Sequence, residues 1–142
     1  MDFEISPSLI KHSSLQFVEG DINNTLPSLE TKSVDFIIFL SVLEHLEDVL
    51  SIFIHSNRIL KENGYIFFNC PNWFGKWVLE HIVSNRFIDP YGEITKQVDT
   101  HKMYYSLKEM WPLLVKAGFL PSNIKIWQSN LFCSISGYAM KV

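Results

Sequence analysis

The run Val34 to Leu40 (VDFIIFL) constrains the fold of this chain more than any other segment. It is almost continuously apolar and lies between polar residues 23–33 and the polar Ser41. A strand of this kind is covered on both faces, as in a parallel sheet, whereas a strand with one wet face alternates. From Val42 the period changes. Leu43, Leu46, Leu50 and Phe53 recur at three and four residues and lay one apolar stripe along a helix, with Ile59 and Leu60 extending it. Strand, polar turn and helix in this order form the transition at which open α/β sheets build ligand sites.

The rest of the chain alternates in the same manner. Residues 2–5 read as the tail of a strand, and Ser6-Pro7 starts a short helix with Pro at its first position. Residues 15–18 form a second strand, closed by Gly20-Asp21, and 23–32, with Pro27, read as a loop. Asn63-Gly64 is expected to end the helix that starts at Val42, because both residues accept the left-handed conformation at a helix C-terminus. Residues 65–70 are the next strand, broken at Pro71-Asn72, and 73–83 are helical. Asp89-Pro90-Tyr91-Gly92 is a turn.

Ser106-Leu107-Lys108-Glu109 is a capping box that opens a helix with Met110, Leu113, Leu114 and Ala117 inside and Gly118 closing it. Pro112 within it removes one backbone hydrogen bond and should kink or shorten the helix. Residues 124–128 and 131–140 finish the chain as two strands joined by a tight Ser129-Asn130 turn, which suits an antiparallel hairpin. The order predicts an α/β layered sheet closed by that hairpin, in one domain over residues 1–142.

Composition narrows the function classes. A net charge of −3 with no run of Lys or Arg gives no footprint for nucleic acid. Cys70 and Cys133 sit in apolar segments without metal-ligand spacing, so both read as reduced core residues of a cytoplasmic protein. The N-terminus has no basic start followed by an apolar signal core, and apolar runs such as 36–40 are far too short to span a bilayer. No membrane association is expected.

Four segments, FVEGDI (17–22), SVDFIIFLSVLEHLED (33–48), RILKENGYIFFNCPN (58–72) and HKMYYSLKEMWPLLVKAGF (101–119), together resemble the class I S-adenosylmethionine-dependent methyltransferases, in particular the broad group acting mainly on small molecules. The resemblance implies a Rossmann-like sheet of order 3-2-1-4-5-7-6, helices on both faces and an antiparallel seventh strand. It implies S-adenosylmethionine as cofactor and assigns cofactor-side residues. Glu4 would hold the ribose hydroxyls, Asp21 would accept from the adenine amino group, and Ile22 would wall the ring. Leu40 and Ser41 would lie under the methionine part. A carboxylate suits the ribose, since its paired oxygens take two O–H donors at once. On the acceptor side, His101 is the candidate base for a hydroxyl nucleophile, with Trp73, Trp77 and Tyr104 as substrate-binding residues. Asp21 also reads as an ordinary turn residue, His101 as a surface loop residue, and residues 73–83 as a helix merely packing on the sheet.

Some metal-dependent relatives carry E-x-x-E-H at the Glu44-His45 position. Here Ser41 occupies the first place of that pattern, so one oxygen ligand is lost and no metal is expected. Glu44 reads instead as an acidic residue near a helix start.

The family places its cofactor with a first strand and a G-x-G-x-G turn, yet the first glycine of this chain is Gly20. The expected sheet therefore lacks its first, central strand and glycine-rich loop, and the chain reads as an N-terminally truncated methyltransferase domain. Two functions follow. The chain is the C-terminal portion of an enzyme that transfers methyl from S-adenosylmethionine to a small-molecule substrate, weak or inactive alone. Alternatively, it is a non-catalytic methyltransferase-like module whose sheet is completed by a partner subunit or in a homodimer. Nothing in the sequence distinguishes an oxygen, nitrogen or carbon acceptor.

Overall fold

A computed structural model describes residues 20–83 and 101–142. The expected strands at 2–5 and 15–18, the helix between them, Glu4 and the 89–92 turn lie outside the described residues.

The first described element is a helix, α1 (Ile22–Ser28), where a loop was expected. The Asp21 carboxylate caps it by accepting from the Asn23 amide at 2.9 Å, and this local bond outweighs the poor helix formers behind it. Pro27 lies inside this short helix and removes one N–H from its ladder. Strand β1 (Val34–Leu40) follows as read from the sequence. The chain then makes a 3-10 turn, Leu43–His45, before helix α2 (Val49–Ile59) begins behind its own cap, Asp48, which accepts from the Ser51 amide at 2.9 Å. The helix thus starts seven residues later than the apolar period suggests. Leu43 and Leu46 are buried from outside it, and the inner face is Val49, Ile52, Phe53, Ser56 and Ile59.

Strand β2 (Leu60–Pro71) takes over without a turn. Asn63 does adopt a left-handed φ of 63°, but in an irregular stretch of the strand rather than at a helix end. Val34 pairs with Leu60 and Phe36 already with Tyr65, so the intervening residues bulge. Gly64 permits this, since a Cβ there would come within 2.8 Å of the Asp35 carbonyl oxygen. Helix α3 (Trp73–Val78), capped by Asn72, continues into a π-helical turn, Leu79–Val83. Helix α4 (Leu107–Lys116) carries the expected capping box, runs through Pro112, and is closed at Gly118 with φ of 95°.

Strands β3 (Ile124–Ser129) and β4 (Ser134–Met140) form the antiparallel hairpin. The link is longer than a two-residue turn. Asn130, Leu131 and Phe132 all take positive φ, which moves 131–133 out of the strand and leaves Cys133 half-buried in the loop rather than in the core.

The sheet order is β1-β2-β4-β3, with β1 and β2 parallel and β4 antiparallel to β2. This is the 4-5-7-6 half of the expected sheet, reversed last pair included. Helices α2 and α4 pack against one another, and the core lies between them and one sheet face, where Phe53 meets Phe68 at 6.0 Å between ring centroids. Phe36, Ile38 and Leu40 point to the other face and are 52–61% exposed. Phe36 stacks on Tyr65 there. β1 was expected to be covered on both faces; among the described residues it is covered on one.

Candidate functional site

Because β1 and β2 are parallel, their carboxyl ends lie at the same end of the sheet. The 3-10 turn leaves β1 there, and Asn72-Trp73 leave β2 beside it. The turn starts at Ser41, whose φ of 51° is rare for a residue with a Cβ and whose amide donates to the Asn69 carbonyl at 3.0 Å. The left-handed step swings the chain off the strand and turns Glu44 inward.

The loop before α4 closes on this turn through its backbone. The Glu44 carbonyl accepts from the Lys102 amide at 2.8 Å and the Met103 amide at 3.1 Å. An exposed Lys102–Glu47 ion pair lies alongside. His101 is thereby set against His45, with ring centroids 4.8 Å apart and planes at 67°. The His101 Nδ1 lies 3.1 Å from the Tyr104 hydroxyl. Tyr104 is buried and meets the exposed Trp73 at 5.6 Å, and the Lys76 ammonium sits 5.6 Å from the Tyr104 ring centre, a cation–π distance.

Burial sets the electrostatics. Glu44 is 1% exposed, and neither carboxylate oxygen has a hydrogen-bond partner. Burial raises its pKa above the ordinary carboxylate value, against smaller opposing effects from its own backbone amide and from His45. Burial lowers that of His101, with the neighbouring His45 adding to it. The buried Tyr105 hydroxyl is pushed up to about 12, chiefly by desolvation. One donor atom each from Glu44, His45 and His101 lie within 4.8 Å of one another, a spacing that could hold a metal ion.

The structure thus brings His101, Tyr104 and Trp73 together, with Ser41 and Leu40 at the start of the same turn. Trp77 is not among them. It belongs to an outer stack with Phe74 at 6.0 Å and His81 at 5.2 Å. Asp21 is exposed and one of its oxygens is committed to Asn23, so part of the turn-residue reading holds; Ile22 packs at the core margin. Two residues were missed. Glu44 was read as a residue near a helix start, and only its position between buried Leu43 and Leu46 hinted at burial. Asn72 was read as a strand breaker, yet it caps α3 and also donates to the Phe132 carbonyl at 2.8 Å, tying the hairpin loop to the site.

The sheet order β1-β2-β4-β3, with β1 and β2 parallel and β4 antiparallel to both its neighbours, is that of the Rossmann-like methyltransferase fold. The family model for the methyltransferase domain matches residues 2–68. No curated protein matches the sequence. Among solved structures, an S-adenosylmethionine-dependent methyltransferase of Archaeoglobus fulgidus aligns with TM-score 0.63 at 21% identity, over 97% of this chain and 74% of its own. One of Thermotoga maritima aligns with TM-score 0.62 at 16% identity, over 88% of this chain and 63% of its own. The complex between the Haloferax volcanii Trm112 methyltransferase activator and a chain assigned as a methyltransferase gives 0.68 at 12% identity, over 94% and 64%. The family match covers just under half of this chain, the likeness to the solved structures is one of fold, and the chain spans less than two thirds of two of these three relatives.

Proposed function

We propose that this chain contributes to methyl transfer from S-adenosylmethionine to a small-molecule acceptor in the cytoplasm. The observation that carries the reading is the convergence of Ser41, His101, Tyr104 and Trp73 at the carboxyl end of the parallel strands, where open α/β sheets bind ligands. Leu40 and Ser41 line the cofactor side in this reading, with Asp21, Ile22 and Glu4 toward adenosine. Asp21 keeps one carboxylate oxygen for the adenine amino group while the other caps α1. Trp73 and Tyr104 wall the acceptor, Trp77 standing outside that wall, and His101 takes its proton. Methyl transfer asks little covalent help of a protein, since the sulfonium is already activated; alignment and exclusion of water are the main tasks.

Calorimetric titration of the 142-residue chain with S-adenosylmethionine tests this. The expected result is a saturable heat that weakens in Asp21→Ala. No heat and no thermal stabilisation at a millimolar cofactor level would overturn the reading for this polypeptide.

A second reading, a methyltransferase-like module that needs a partner subunit or a second copy, is favoured by the exposed Phe36, Ile38 and Leu40 on β1, an edge strand among the described residues. Among the described residues no helix is long and apolar enough to cross a membrane.

A further inference from the structure

We propose that Glu44, His45 and His101 form a binding site for a divalent cation of the zinc class. The argument begins with Glu44. A carboxylate 1% exposed with neither oxygen in a hydrogen bond is costly, because the lost hydration outweighs what its own backbone amide and His45 return. Protonation removes the charge but leaves a hydroxyl donor and a carbonyl oxygen, both still unpaired. A cation balances the charge and takes up a carboxylate oxygen directly.

The surroundings supply the remaining ligands. Donor atoms of Glu44, His45 and His101 lie within 4.8 Å of one another. Donors 2.0–2.2 Å from a tetrahedral ion sit roughly 3.4 Å apart, so side-chain rotation of about an ångström closes the set around zinc. His101 is already oriented for the task. Its Nδ1 faces the Tyr104 hydroxyl at 3.1 Å, and when Nδ1–H donates there, Nε2 carries the lone pair; ligating histidines are commonly held through the second nitrogen in this way. The loop carrying His101 is pinned to the Glu44 carbonyl by two backbone hydrogen bonds, so ligands distant in sequence are held in one frame.

The donor types decide the ion. Two imidazoles and one carboxylate suit zinc or a neighbouring transition ion, whereas magnesium and calcium take mainly oxygen. Three protein ligands leave a coordination position open. Ser41 removes the first carboxylate of the sequence pattern, which argued against a metal; the fold brings a different ligand, His101, from another segment. The proposal does not depend on methyl transfer. It does compete for one nitrogen, since His101 cannot both bind the ion and take a proton from the acceptor.

Titration of the 142-residue chain with zinc chloride, followed by calorimetry, and with cobalt(II), followed by visible absorption, tests the site. One ion per chain is expected with micromolar or tighter affinity, and cobalt should give the intense d–d bands of a four- or five-coordinate ion. Glu44→Gln, His45→Ala and His101→Ala should each weaken binding by more than about tenfold, while His81→Ala on the outer stack leaves it unchanged. Circular dichroism confirms the fold of each variant. His101→Ala, at a half-buried loop position, keeps the test alive if Glu44→Gln does not fold. No binding at a hundredfold excess of zinc, or equal affinity in all four variants, overturns the proposal. In the first case His101 stays free as the proton acceptor, so this failure is distinguishable from failure of cofactor binding.

Discussion

Cys70 and Cys133 look alike in the sequence, each within an apolar segment, and the fold separates them. Cys70 is fully buried on β2, and its thiol is pushed up to about 12, by desolvation first and by the Glu44 charge second. Cys133 lies half-buried in the loop between β3 and β4. Only a thiolate alkylates. Iodoacetamide at neutral pH should therefore modify Cys133 in the folded chain and both residues after denaturation, as read by peptide mass spectrometry. Modification of Cys70 under native conditions would contradict its placement. Asn72 offers a second test at this scale. Its side chain caps α3 and holds the Phe132 carbonyl while buried. Asn72→Ala should cost about 2 kcal/mol, one part for the cap and one for the tether. Asn72→Ser keeps a capping oxygen and loses only the tether, so its urea midpoint should fall between those of the native chain and the alanine variant.

Helix α4 shows how far a local signal reaches. The Glu109 carboxylate accepts from the Ser106 amide and hydroxyl, each at 2.7 Å. These bonds hold its pKa below the ordinary 4.5, the side-chain bond contributing most. A carboxyl whose folded pKa is depressed stabilises the fold above its unfolded pKa, and that contribution disappears as pH falls through the folded value. Ser106→Ala should therefore destabilise by about 1 kcal/mol at neutral pH, and the deficit should shrink once the pH drops below the carboxylate range. A deficit independent of pH would show that the hydroxyl acts without Glu109. Helix α3 depends on a contact that no local signal announces. Gly75 lies under the Cys133 carbonyl so closely that any Cβ would run into it. Backbone cannot retreat as a side-chain end can, so Gly75→Ala should cost roughly 1–3 kcal/mol. It should also raise hydrogen exchange in the 130–133 loop, where a smaller effect there than elsewhere would argue against the contact.

Among the described residues, the sheet presents a covered and an open face. Phe36, Ile38, Leu40 and Tyr65 on the open one are 44–61% exposed. Contiguous apolar surface of this kind commonly marks an interaction site. If the open face pairs with a second copy, sedimentation velocity of the 142-residue chain should show concentration-dependent association that Ile38→Lys weakens without changing the circular dichroism. A chain that stays monomeric at every concentration would remove self-association from the second reading.

What the sequence determined by itself is the set of features carried by neighbours in the chain. The unbroken apolar run of β1, the capping box of α4, Gly118 and the order of the last two strands all depend on periodicities or pairs a few residues long. Where a nearby side chain competes with the period, the reading slipped, as when Asp48 delayed α2 and Asp21 turned an expected loop into α1. Tertiary structure alone decided the rest. It put Asn63 in a bulge rather than a helix end, drew Leu131 and Phe132 out of a strand, and set Trp77 in a stack apart from the Trp73–Tyr104 pair. It also buried the Glu44 carboxylate and brought His101 to His45, because two amides of the later loop found the Glu44 carbonyl. Hydrogen bonds between distant segments leave no period in the sequence, and a residue's neighbours along the chain do not say whether its charge will be left in water or closed away from it.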